Sequence, residues 1–136
     1  MYIGTMINDS PTIAVEAGEI IANAAFKAVK FNEEGKIVLA GKGDIPIGII
    51  TAEFDDVAVG DDVTVQIKDI GLISTGAEVK AGAELACGAD GKAQTAEAGD
   101  FVLGFALEAA GKDSAVRIQI TKSGYVQETS DQEESL

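Results

Sequence analysis

The 136 residues specify an all-β fold: a small internally duplicated β-barrel or β-sandwich with an extended N-terminal arm and a flexible acidic C-terminal tail. Three observations carry that expectation. Isoleucine and valine far outnumber leucine, tryptophan is absent, and 16 glycines separate short apolar runs, which is the profile of many strands joined by tight turns. Val63, Val65 and Ile67, and again Val116, Ile118 and Ile120, alternate with other residues as strands with one buried and one wet face do. Third, the chain repeats itself. At an offset of 56, Ala25 falls on Ala81, Gly35-Lys36 on Gly91-Lys92, Ala40 on Ala96, Gly43-Asp44 on Gly99-Asp100 and Gly48 on Gly104. After a gap of three residues the register resumes at 53, with Val63 on Val116, Gln66 on Gln119 and Ile67 on Ile120.

Taken in chain order, residues 1–14 form an arm with few charges, in which Tyr2, Ile3, Met6, Ile7 and Ile13 have no counterpart in the repeat and so no obvious place in a duplicated core. Such an arm is expected to contact another subunit or partner. Residues 15–126 form the duplicated domain, with repeat units at about 18–68 and 75–121. Gly18 to Lys30 fits either a helical stripe or a strand, and its partner Gly76 to Cys87 contains Gly82, which favours a turn followed by a strand. A strand over Phe26 to Phe31 follows. Each unit then runs through a hairpin turn (Glu33-Glu34-Gly35-Lys36, then Ala89-Asp90-Gly91-Lys92), a strand such as Lys36 to Leu39, and a Gly-Asp turn. A long apolar strand comes next (Ile45 to Ala52, then Phe101 to Glu108), and an alternating strand closes the unit (Asp62 to Lys68, then Ser114 to Thr121). Gly48 and Gly104 fall inside the apolar strands, where glycine signals a bulge, a bend or a close backbone approach. Residues 127–136 hold four acidic residues and no basic one, so burial cannot repay their ordering entropy.

Composition excludes most chemistry. One domain's worth of chain buries about two-thirds of its surface, so a core forms without staples. With 23 acidic against 10 basic side chains the formal charge is −13, which repels nucleic acid and anionic membranes. There is no histidine, so no imidazole base or His-ligated metal can be built. The single Cys87 permits no internal disulfide and reads as a small buried hydrophobe. No secretion leader or membrane span is evident, and synthesis in a cytoplasm is expected. Asp55-Asp56 and Asp61-Asp62 lack the ligand pattern of a calcium loop and read as solvated turn charges. Glu53 and Glu108 read as duplicated strand-end charges rather than a catalytic carboxylate pair. The lysine turn at Lys92 is placed like the turn that bears the prosthetic group of lipoyl and biotinyl carriers, but it recurs at Lys36 and lacks their flanking signature. Gly41-Lys42-Gly43-Asp44 lacks the Lys-Ser/Thr of a phosphate loop. No enzyme activity, cofactor or metal is expected.

The ordered motifs carry a resemblance. Gly43-Asp44, Ile45-Pro46-Ile47-Gly48-Ile49-Ile50, Gly60-Asp61-Asp62-Val63-Thr64-Val65-Gln66-Ile67, Ile70-Gly71-Leu72-Ile73, Ala81-Gly82-Ala83-Glu84-Leu85, Ala89-Asp90-Gly91-Lys92, Phe101 to Glu108 and Val116-Arg117-Ile118-Gln119-Ile120 follow one another in this order. Over roughly Ala14 to Thr121 the chain resembles the capsid decoration, or cement, proteins of tailed bacteriophages and the base domains of some phage head fibres. The resemblance implies a non-enzymatic β-domain on the outer surface of the virion capsid, bound to the major capsid protein. It also implies self-association, for which a homotrimer suits the three-fold positions of an icosahedral shell. Tyr2, Ile3, Met6, Ile7 and Ile13 are then the expected capsid or subunit contacts. A carbohydrate-binding or adhesin-like β-module is the alternative, weakened by the lack of tryptophan for stacking on sugars.

Overall fold

The computed structural model describes residues 10–127. Ten strands carry the fold: β1 (Thr12–Glu16), β2 (Ala28–Phe31), β3 (Ile37–Leu39), β4 (Gly48–Ile50), β5 (Asp62–Gln66), β6 (Asp69–Ser74), β7 (Glu84–Cys87), β8 (Ala93–Thr95), β9 (Phe101–Ala106) and β10 (Ala115–Tyr125). The sole helical element among the described residues is one short turn at Ala89–Gly91. There the β7–β8 hairpin reverses through positive φ at both Asp90 and Gly91, the backbone that an Asp-Gly pair favours.

The strands form two five-stranded antiparallel sheets, ordered β1-β5-β4-β2-β3 and β6-β10-β9-β7-β8. The second order is the first shifted by five strands. Each sheet curls until the chain just beyond its first strand meets the far edge at one parallel bridge, Ala17 to Ile37 and Thr75 to Ala93. One bridge is not a ladder, so neither sheet closes, and the barrel form of the expectation gives way to two open sheets. Inside the first curl lie Ile21, Val29, Ile37, Ile50, Val57, Val63 and Val65, which alternation in β5 points inward. The second core holds Leu85, Cys87, Leu103, Val116 and Ile118, together with Ala28, Ala40 and Ile49 from the first half. That shared core joins the halves. Two contacts reinforce it: Ser74 N donates to Phe26 O at 2.8 Å, and a Cβ at Gly91 would lie 2.7 Å from Ala28 O, so the β7–β8 turn sits against β2.

Two strands were not expected as such. β1 begins at Thr12, inside the segment expected as arm, and pairs with β5 through Ile13–Val65 and Val15–Val63. β6 occupies the stretch left between the two expected repeat units and pairs with β10 through Val116–Ile73. The apolar strand of the first unit is shorter than the expected Ile45 to Ala52, since Pro46 lacks the N–H that a ladder needs. β10 runs past Thr121 to Tyr125 through a register shift between Ile120 and Gly124, where Lys122 and Gly124 take positive φ.

Of the readings open for Gly48 and Gly104, the structure selects close approach. A Cβ at either would stand 2.1 Å from a backbone oxygen, of Gln66 and Gln119 respectively. Gly104→Ala is therefore expected to destabilise the fold by about 3 kcal/mol through overpacking against rigid backbone. Urea unfolding measures this, and a loss under about 1 kcal/mol would show that the strands can separate locally.

Candidate functional site

Of the expected contact residues, Tyr2, Ile3, Met6 and Ile7 lie outside the described residues. Ile13 lies within β1, half-buried against the first core, so it has the place in the fold that its lack of a repeat partner argued against. The start of β1 is tied to the end of β5 and, through Gln66, to the start of β6. Ile67 N donates to Pro11 O at 2.8 Å, Thr12 pairs with Gln66, and the Gln66 carboxamide donates to Lys68 O and Ile70 O at 2.9 and 2.8 Å.

Next to Gln66 opens an apolar cleft of about 400 Å³ lined by Phe26, Ile49, Ile50, Ile70 and Leu72, with Arg117 among its polar members. Ile70 and Leu72 are 57% and 38% exposed on β6, an edge strand. Apolar side chains two residues apart on an edge usually meet a partner or a blunting charge. The sequence signal for this site was present, as Ile70 and Leu72 keep a strand's period of two. It was masked because the segment fell between the two repeat units.

A polar cluster spans the halves on another surface. Asp44 Oδ2 accepts from Gly41 N at 2.7 Å and pairs with Lys30 at 3.1 Å. Asp100 repeats the arrangement, accepting from Glu97 N at 2.9 Å, but its lysine is Lys42, which reaches across from the first half at 2.9 Å. The Gly41 amide first, and Lys30 with it, hold Asp44 below the usual carboxylate range against the opposing effect of burial. Burial is the largest influence on Asp100 and acts to raise it, but the Glu97 amide and the Lys42 ammonium together outweigh it, so Asp100 is also lowered. Cys87 lies close by, and burial, with Asp44 and Asp100, pushes its thiol up to about 12.

The remaining candidates resolve simply. Lys36 pairs with Glu16 and Lys92 with Asp113, so both hairpin lysines are engaged. Glu108 holds Arg117 while Glu53 is exposed, which leaves them in different settings. Asp56 accepts from Asn23 N and Asp61 from Ala58 N, as turn charges do. Among the described residues no group of three or more Cys, Asp or Glu side chains could hold a metal ion. No helix among them is long and apolar enough to cross a membrane.

Two expectations follow. Asp100→Asn lowers stability at neutral pH by about 1–2 kcal/mol, the loss of a charge-assisted bond at a 5% exposed group. Because the folded Asp100 is lowered, its contribution is full above the unfolded value near 3.8 and disappears as pH falls through the folded one. Urea titrations of wild type and variant should therefore converge in acid, and a constant gap would overturn the assignment. A thiol near 12 leaves Cys87 unlabelled by a disulfide reagent at pH about 8 until the chain is unfolded.

No curated protein matches the chain. The fold is similar to that of the head fiber gp8.5 N base in bacteriophage phi29, with a TM-score of 0.64 and 22% identity over 86% of this chain and 98% of that one. At that identity the likeness establishes the fold alone. The sequence model of the phage cement proteins, in turn, matches residues 9–121, which takes in β1 to β9 and the first part of β10, and the chain belongs to that family of structural phage capsid proteins.

Proposed function

We propose that this chain is a non-enzymatic decoration protein that binds the outer surface of an assembled phage head, on the major capsid protein, and stabilises the shell. The family match over residues 9–121 carries the reading. A protein that binds the assembled shell and not its dissociated subunits shifts the equilibrium toward assembly by mass action. Each site held at 100 times its dissociation constant contributes about 2.7 kcal/mol, so many weak sites on one shell suffice. The charge of −13 favours solubility and makes any contact with basic capsid residues weaken with salt.

Residues 1–9, with Tyr2, Ile3, Met6 and Ile7, are assigned to the capsid or subunit contact. Their apolar side chains support this, as does the start of β1 at Thr12, which pairs with Gln66 at the apolar cleft that Ile70 and Leu72 also line. A homotrimer on the three-fold positions of the shell is the proposed assembly. We further infer that the two sheets descend from one duplicated unit, supported by their matching strand orders and by the equivalent crowding at Gly48 and Gly104. The sugar-binding alternative has Tyr125 as its one exposed tyrosine among the described residues, its ring edge-on to Phe101 at 5.5 Å, and no tryptophan.

Deleting residues 1–9 leaves β1 intact and tests the assignment. The truncated protein is expected to keep its circular dichroism and unfolding midpoint, to fall below the trimer mass in light scattering, and to stop co-sedimenting with expanded capsids. Capsid binding equal to that of the full chain would overturn the role given to the arm.

A further inference from the structure

A second cleft, of about 350 Å³, opens where the two halves meet, and its lining includes Asn23, Lys27 and Asp55 from the first and Ser74, Lys92 and Ser114 from the second. Lys27 is 9% exposed. Its Nζ donates to Asn23 O at 3.0 Å, a neutral acceptor, and of its three N–H groups this is the one that bonds to protein among the described residues. Lys30, Lys36, Lys42, Lys92 and Arg117 hold carboxylates, and Lys68, Lys80, Lys112 and Lys122 are exposed, whereas Lys27 is the one buried lysine of the described residues and takes part in no ion pair among them. Burial, and then the Lys92 ammonium, press Lys27 toward its neutral form, with partial relief from Asp90. A buried ammonium held in no ion pair is costly.

Nothing in the architecture requires that cost. Ile50 N donates to Lys27 O as Ala106 N donates to Ala83 O, and Lys27 N donates to Ala24 O as Ala83 N donates to Lys80 O. Ala83 thus occupies in the second sheet the position that Lys27 occupies in the first. The preceding residue differs in the same sense. Phe26 holds φ 67 where Gly82 holds φ 83, and a bulky side chain meets a steric penalty there that glycine does not. At two successive positions the first half replaces the unstrained, uncharged solution, and the outcome is a cation aimed into a cleft. Strain and unpaired charge of this kind gather at binding sites.

We propose that this cleft binds a single carboxylate, with Lys27 supplying the charge and the hydroxyls of Ser74 and Ser114 donating beside it. Lys92 is already engaged by Asp113 at 3.2 Å. Asp55 and Asp113 also line the cleft, and their charge opposes any anion there, a dianion such as phosphate about twice as strongly as a single carboxylate. The carboxylate belongs either to a small free acid or to an acidic side chain of another protein. The site goes beyond the capsid reading and does not depend on it.

Acetate, N-acetylglutamate amide and inorganic phosphate are titrated into the full chain at constant ionic strength while the amide signals of Lys27, Thr75 and Ser114 are followed by NMR. Saturable shifts with the carboxylates are expected, with weaker ones for phosphate. Affinity should fall at least about tenfold in Lys27→Met, the loss of one charge-assisted hydrogen bond. Tighter binding of the glutamate amide assigns the site to a protein side chain, and tighter binding of acetate to a small free acid. Lys27→Met is expected to fold with a midpoint no lower than wild type, as Ala83 implies. Absent saturation, undiminished binding in Lys27→Met, phosphate binding tighter than acetate, or an unfolded Lys27→Met would each overturn the proposal.

Discussion

The carbonyl oxygens of Gln66 and Gln119 stand where Cβ atoms of residues 48 and 104 would have to be. Most of the architecture depends on that crowding. With glycine at both places, β4 closes on β5 and β9 on β10 more tightly than side chains permit, and each sheet can bend. Bending brings the chain after β1 to β3 and the chain after β6 to β8, and so encloses a small core in each half. A flat five-stranded sheet would leave these valines and isoleucines with one covered face and no lid.

Joining the halves sets a different problem. The second core borrows Ala28, Ala40 and Ile49 from the first half, and at Ala28 and Ala40 the small side chains let the two halves come close. Charge follows the same division. In the first half Asp44 and Lys30 form a local pair, whereas Asp100 takes its lysine from across the joint. Cys87, sealed beside these carboxylates, is kept a neutral thiol and acts as packing. The apolar cleft beside β6 and the Lys27 cleft both lie at this meeting of halves, where equivalent positions cease to have equivalent surroundings.

Several elements were legible from residues alone. Val63, Val65 and Ile67 announce β5, as Val116, Ile118 and Ile120 announce β10, because one face of each strand is buried. Asp90-Gly91 announces its hairpin because the two residues accept the backbone it needs. β1 and β6 were hidden for related reasons. β1 looked like arm because its apolar residues have no matching letters elsewhere in the chain. β6 turns Ile70 and Leu72 outward and Ile73 inward, which inverts the usual sense of alternation. Lys27 was invisible as a site because its distinction is its burial, which only packing reveals.

The amino-acid sequence by itself determined the strand-rich class, the turn positions, the exclusion of imidazole chemistry and the motif order that marks the cement family. Those features are local, set by periodicity, turn backbone and residue type. Tertiary structure alone decided that the sheets stay open, that Ile13 is core-facing strand, that Asp100 is paired across the joint and that Lys27 is buried outside any ion pair among the described residues. Each of these depends on which distant backbone comes within a few ångströms, and a one-dimensional pattern carries no record of that distance.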